Sequence, residues 1–274
     1  MVSQEQRRRQ LAREKFLRQQ QRRTSARRKS RMRNSVIASV LGVVVIGSIA
    51  LYTTGVLKND DGKKTNASAD VTPSATPPSK APDPCQKPAA GSIKKQSWKK
   101  EPAMTIDTSA KYAMKLATTC GDIDIALKTS AAPHTVNSFD FLAGKGFFDH
   151  TKCHRLTTNG IYVLQCGDPT GAGSGGPGYT IPDENLKDTS LKGNKYPAGT
   201  VAMANTGQKH TGGSQFFLVF KDSPLPPSYT PFGTIDAAGL KVLNKIAAAG
   251  ENTGAGDGAP NATVVINKAT VAKS

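Results

Sequence analysis

Hydrophobic and polar positions change rhythm several times along this chain, and each change marks a segment. Residues 36–57 (VIASVLGVVVIGSIALYTTGVL) run for 22 positions without a charge. At 1.5 Å per residue they would form a helix of about 30 Å, the thickness of a bilayer's hydrocarbon core. Residues 58–110 show no apolar period and hold seven of the 17 prolines, mixed with Ser, Thr, Ala and Lys. Such a stretch buries too little apolar surface to offset its ordering entropy, and it reads as a disordered, semi-extended linker. From Lys111 the period becomes two: Tyr112, Met114 and Leu116, then Ile123, Ile125 and Leu127 across Cys120-Gly121, which predicts a β-hairpin. Residues 133–143 place Val136, Phe139 and Leu142 three apart behind a first-turn proline, the signature of a short amphipathic helix. Short strands are predicted over 152–156, 162–166, 200–204, 216–220 and 232–235, then a second helix over 237–249 and a last strand over 263–267. Many short strands with two helices point to a closed or nearly closed antiparallel barrel rather than a parallel α/β sheet.

The net charge of +17 suggests a nucleic-acid binder until its placement is counted. Thirteen of the 37 Lys/Arg, against two of the 20 acidic residues, lie within residues 1–35, so the charge belongs to one arm rather than to a binding face. Arg27, Arg28, Lys29, Arg31 and Arg33 abut the apolar span, and the positive-inside rule keeps them cytoplasmic and exports everything after Leu57. The basic stretch is too long for an ordinary signal-peptide n-region, no clean A-x-A site follows, and no Cys ends the run. An uncleaved transmembrane helix is therefore expected, with an extracytoplasmic folded domain on a single-pass cell-membrane protein. The arm is also suited to anionic lipid headgroups. RNA binding is its rival role, but a topogenic flank explains the same residues, and no nucleic-acid partner is expected. The expected organisation is a basic cytoplasmic arm (1–35), a transmembrane helix (36–57), a linker (58–110) and a folded domain (111–274).

A search for reactive constellations is nearly empty. G-x-S-x-G, H-E-x-x-H and P-loop patterns are absent, and His134, His150, His154 and His210 lack metal-ligand spacing. The Gly-rich run 171–178 neither follows a strand nor opens a helix, so it reads as a mobile surface loop rather than a phosphate cradle. Residues 247–264 (AAAGENTGAGDGAPNATV) read as a loop to the last strand, with no legible function.

Five segments carry more: Cys153-His154-Arg155, Val163-Leu164-Gln165-Cys166-Gly167-Asp168, Met203-Ala204-Asn205, Gly213-Ser214-Gln215-Phe216-Phe217 and Pro231-Phe232-Gly233. In order and spacing they resemble the signatures of cyclophilins, as do the hairpin with its Gly-Asp-Ile and the stretch 132–156. The resemblance covers about residues 110–272. It implies an eight-stranded antiparallel barrel capped by two helices and a peptidyl-prolyl cis-trans isomerase that works without metal, cofactor or covalent intermediate. Its substrates would be proline-containing polypeptides, here exported or membrane-proximal ones, and a monomer is expected. Arg155 matches the family's catalytic Arg, and Gln165 the polar residue that fixes it and the substrate backbone. Asn205, with Ala204 beside it, matches the position that binds the peptide in extended form. Phe217 and Leu225 match walls of the proline pocket, while Gln215 and Gly173 belong to a secondary groove.

The chain also departs from the family pattern. Two extra residues between Arg155 and Gln165 put the pocket positions on Tyr162 and Val163, with Ile161 as the alternative. Tyr229 stands where a His usually closes the pocket, and Pro224 lies nearest to the place of the Trp associated with tight cyclosporin binding. These departures keep a rival open, a cyclophilin-like peptide-binding chaperone module with weak or no turnover. Cys85, Cys120, Cys153 and Cys166 allow three pairings in an exported domain. Cys153–Cys166 on the hairpin of Arg155 and Gln165 is favoured, with Cys85–Cys120 pinning the linker, and four free thiols are the alternative.

Overall fold

The computed structural model describes residues 82–274; the basic arm, the expected span and the linker through residue 81 lie outside the described residues. Among the described residues no helix is long and apolar enough to cross a membrane.

Period-two patterning builds the first hairpin as expected. β1 (Tyr112–Thr118) and β2 (Gly121–Leu127) pair antiparallel with Met114 opposite Ile125 and Leu116 opposite Ile123, all four turned into the core. Successive side chains alternate faces, so a single register step would expose the whole set. The other strands are β3 (Thr151–Lys152), β4 (Arg155–Thr157), β5 (Val163–Cys166), β6 (Lys195–Tyr196), β7 (Thr200–Met203), β8 (Phe216–Val219), β9 (Ser223–Pro224), β10 (Pro231–Ile235), β11 (Asp257–Gly258) and β12 (Val265–Lys273). Ten of them form one curled antiparallel sheet in the order β11-β4-β5-β8-β7-β10-β2-β1-β12-β3, and β6 and β9 make a separate ribbon. The expected eight strands reappear when the two-residue β11 is set aside and β3 and β4 are joined. Residues 151–157 are one path that changes partner midway: Thr151 and Lys152 pair with β12, and Arg155 to Thr157 pair with β5. The sheet thus closes on itself through this segment. β12 is longer than its apolar pattern suggests, because it pairs with β1 along that strand's whole length.

Two helices cap the sheet. α1 (Pro133–Gly144) buries Val136, Phe139 and Leu142, and Phe139 stacks on Phe148 and packs at an angle against Phe216 and Phe232. Its N-terminus lacks a local cap; Glu184 supplies one from a distant loop, accepting from the amides of His134 and Thr135. α2 (Ala237–Ala248) starts at Asp236, whose carboxylate accepts from Gly239 N at 2.6 Å, and buries Leu243 and Ile246. An N-cap acceptor of this kind satisfies one of the four orphan amides of the first turn.

The expectation of a disordered linker through residue 110 needs correcting. Residues 82–110 form no helix or strand but lie along the sheet as a strap. Cys85 is bonded to Cys120, Trp98 packs edge-on against Phe141 with ring centres 5.0 Å apart, and Ile106 is buried. Gln86 N donates to Thr119 O, Trp98 N to Pro177 O, and Thr105 N to Asn137 Oδ1. Isolated anchors, rather than an apolar stripe, hold the strap, which is why periodicity missed it.

Candidate active site

The sheet register assembles the site. Arg155 on β4 lies opposite Gln165 on β5, Gln165 opposite Phe217 on β8, and Phe217 opposite Ala202 on β7. These four form one cross-strand row on the outer face, while Leu156, Leu164, Leu218 and Val201 form the neighbouring row in the core. Alternation adds Val163 and Val219 to the outer face, where they cluster with Phe217, Ala202 and Tyr196. This second apolar cluster underlies a cavity of about 170 Å³ lined by Arg155, Ile161, Val163, Gln165, Ala204, Asn205, Phe217, Leu225 and Tyr229.

Most of the residues expected at the site meet there; Tyr162 does not. It sits between Ile161 and Val163, so its side chain turns away, lying edge-on to Phe220 at 6.0 Å with the Lys221 ammonium 4.5 Å from its ring. Ile161 takes the place assigned to it. Gln215 and Gly173 line a larger groove of about 870 Å³ beside the cavity, and Gln165, Ala204 and Asn205 border both.

Polar groups around the cavity form one directed chain. The guanidinium of Arg155 donates twice to Asp257, from Nε to Oδ1 and from Nη2 to Oδ2, both at 2.7 Å. Nη1 donates to Gln165 Oε1 at 3.2 Å, Gln165 Nε2 to Gln215 Oε1 at 2.9 Å, and Gln215 Nε2 to Gly175 O at 2.9 Å. Three of the five guanidinium N–H groups are thus engaged and two remain for a ligand. These hydrogen bonds to Asp257 hold Arg155 even more firmly charged than usual, and the same bonds hold the Asp257 carboxyl below its ordinary range. The disulfide Cys153–Cys166 lies two residues before Arg155 and next to Gln165.

Asp257 escapes sequence reasoning. It lies in the Gly-rich stretch with no legible function, and it reaches Arg155 only because β11 pairs with β4. The buried carboxylate of Glu251 ties that loop, accepting from Thr253 N, Thr253 Oγ1 and Gly256 N. Tyr196 is a second omission. Fully buried behind the cavity, it donates its hydroxyl to Tyr229 O at 2.7 Å and accepts from Tyr229 N at 3.1 Å, fixing the residue that closes the pocket. Burial is the main cause that pushes its hydroxyl up to about 12.

The Gly-rich loop, expected to be a free surface loop, is tied down by Asp168. Its carboxylate accepts from Thr170 N, Thr170 Oγ1 and Gly173 N, and a side chain at Gly175 would collide with it. Burial works to raise the Asp168 pKa, but these hydrogen bonds outweigh it and hold the value at about 2. Gly173 in turn covers the His154 ring, whose burial lowers its pKa and favours the neutral form. Asn205 spends its side chain on structure, donating to Ser228 O and accepting from Gly207 N. Among the described residues its own backbone N–H and C=O have no hydrogen-bond partner, which leaves an open edge for an extended peptide.

Comparison with known proteins points to one family. The family model described as cyclophilin type peptidyl-prolyl cis-trans isomerase/CLD matches residues 113–271. A probable peptidyl-prolyl cis-trans isomerase B of Mycobacterium leprae is 50% identical over 169 residues, covering 57% of this chain and 56% of that protein. The chain thus spans about half the length of that relative. A peptidyl-prolyl cis-trans isomerase of Helicobacter pylori is 41% identical over 133 residues, 48% of this chain and 77% of that one. The crystal structure of a Cryptosporidium parvum cyclophilin type peptidyl-prolyl cis-trans isomerase superposes with a TM-score of 0.50 at 26% identity, covering 60% of this chain and 99% of that one.

Proposed function

This chain belongs to the cyclophilin-type peptidyl-prolyl cis-trans isomerase family, and on that premise we propose that it accelerates rotation about X–Pro bonds in polypeptides. One observation carries the reading: a guanidinium held by Asp257 and Gln165, with two N–H donors free, lines a cavity that also contains the apolar side chains of Val163, Phe217 and Leu225.

Rotation of a peptide bond faces a barrier of about 18–20 kcal/mol because the C–N bond has partial double-bond character. At X–Pro both isomers are populated, so a catalyst need only favour the twisted state in which that conjugation is lost. In this reading the proline ring enters the cavity between Phe217, Leu225, Tyr229 and Val163. The flanking backbone pairs with the open N–H and C=O of Asn205. The free donors of Arg155 then engage the amide as its nitrogen turns pyramidal and becomes an acceptor. A planar, permanently charged fork that is already oriented costs no reorganisation at that moment. No bond to the protein forms or breaks.

The same reading places the domain outside the cytoplasm, tethered by residues 36–57, with exported or membrane-proximal proteins as its clients. The basic flank before that apolar run supports this, and so do two disulfides in a chain whose four cysteines are all paired.

The test is protease-coupled isomerisation of an X–Pro peptide by residues 82–274, beside Arg155→Ala. Acceleration that drops at least about ten-fold in the variant is expected, since one charge-assisted contact made only in the transition state is worth roughly that or more. A folded wild-type domain that binds the peptide without accelerating it would instead establish the chaperone-module reading.

A further inference from the structure

The strap changes the groove beside the proline cavity. Lys99, Lys100 and Glu101 of the strap form part of the wall of that groove, which Asn205, Thr206 and Thr211 also line. The strap is built into this wall rather than laid loosely over it. Trp98 N donates to Pro177 O at 2.8 Å, and the Trp98 ring packs on Phe141 and Phe147. Gly178 lies so close to Ser97 and Trp98 that a Cβ there would collide with them, so the strap and the groove's floor loop are fitted together.

The charges on this wall are unbalanced. Among the described residues, Lys99, Lys100 and Glu101 are the only charged ones that line the groove. The Glu101 carboxylate is engaged with His134 Nδ1 at 2.7 Å. Lys99 and Lys100 are exposed, and neither forms an ion pair or side-chain hydrogen bond among the described residues. Two unpaired ammonium groups therefore border a groove that opens into the proline cavity at Gln165, Ala204 and Asn205.

We propose that Lys99 and Lys100 are specificity determinants that select polypeptides carrying an acidic side chain within a few residues of the proline. The proposal rests on the isomerase reading for its substrate, a chain whose proline occupies the cavity while its flanking residues cross the groove. An extended chain advances about 3.3 Å per residue, so the residue that meets the lysines lies close in sequence to the proline. The attraction is between solvated charges and is screened by salt. It yields a preference of about three- to ten-fold for the favourable position at low ionic strength.

The test uses the full-length chain with both disulfides oxidised and matched X–Pro peptides. Each peptide carries Glu, Gln or Lys in turn at one of the three positions on either side of the X–Pro pair. The expected result is a position at which kcat/KM runs Glu above Gln above Lys. The Glu-to-Lys ratio should fall towards one in 0.5 M NaCl and in Lys99→Ser/Lys100→Ser. Ratios near one at every position in low salt would overturn the proposal, as would a preference that survives either high salt or the double variant. If the double variant fails to fold, the salt series on the wild-type chain decides alone. If no peptide is turned over, the isomerase reading has failed, and the same ratios measured as peptide affinities decide the role of the lysines separately.

Discussion

At the scale of single residues, the site depends on two carboxylates, Asp168 within a signature segment and Asp257 in a stretch that no motif announces. Asp257 contacts no substrate in the proposed arrangement and acts by aiming Arg155, so it is a positioning residue. Asp257→Asn removes the charge and one of the two acceptors. It should lower kcat about five- to ten-fold with a smaller change in KM, because a loosened guanidinium loses more in the transition state than in the ground state. Steady-state measurement with an X–Pro peptide checks the split; an equal effect on KM alone would mean Asp257 serves binding only. Asp168 acts on the floor of the groove. Its carboxyl is held at about 2 against an ordinary 3.8, so its ionised form stabilises the fold. That contribution is complete above about pH 4 and is lost as the pH falls through about 2. Asp168→Asn should therefore cost about 2 kcal/mol at pH 7 and flatten the acid limb of the stability curve between pH 4 and 2. Urea unfolding across that range reads both effects.

At the scale of elements, the strap and the two disulfides do what regular structure does elsewhere. Cys85–Cys120 closes 35 residues of chain and Cys153–Cys166 closes 13. By loop entropy these cross-links are worth about 4 and 3 kcal/mol in the unfolded ensemble. The first fastens the strap to the turn between β1 and β2, the second joins the two sides of the hairpin that carries Arg155 and Gln165. Trp98→Ala should destabilise the domain by about 2 to 3 kcal/mol, since the ring is half-buried between Phe141 and Phe147. Thermal unfolding measures this, and an unchanged midpoint would mean that the strap rests on the sheet without contributing to its stability. The three small elements missed by periodicity, β6, β9 and β11, are each two residues long. Two residues cannot display a period.

At the scale of the whole molecule, the proposed topology separates a basic cytoplasmic arm from a disulfide-bonded catalytic domain. Added protease should digest the domain on intact spheroplasts while sparing an epitope fused before residue 1. The reverse pattern of protection would put the domain in the cytoplasm, and release of the chain into the soluble fraction would show that no anchor is retained. The domain boundary also moves at this scale. The expected linker runs to residue 110, whereas Cys85, Gln86 and Trp98 within it are already fastened to the domain.

The longer strands, the two short helices and most of the residues gathered at the candidate site were legible from sequence. Burial follows side-chain period, and Arg155, Gln165, Asn205 and Phe217 sit in segments whose spacing is distinctive. Folding decided the rest, because it rests on contacts between residues distant in the chain. Asp257 meets Arg155 across 102 positions, and the strap meets the groove's floor across about 80. Ile161 rather than Tyr162 lines the cavity, and only the folded loop reveals which of two neighbours faces it. Local pattern reports which face of an element is buried, whereas only the closed sheet determines which distant side chains meet on its outer face.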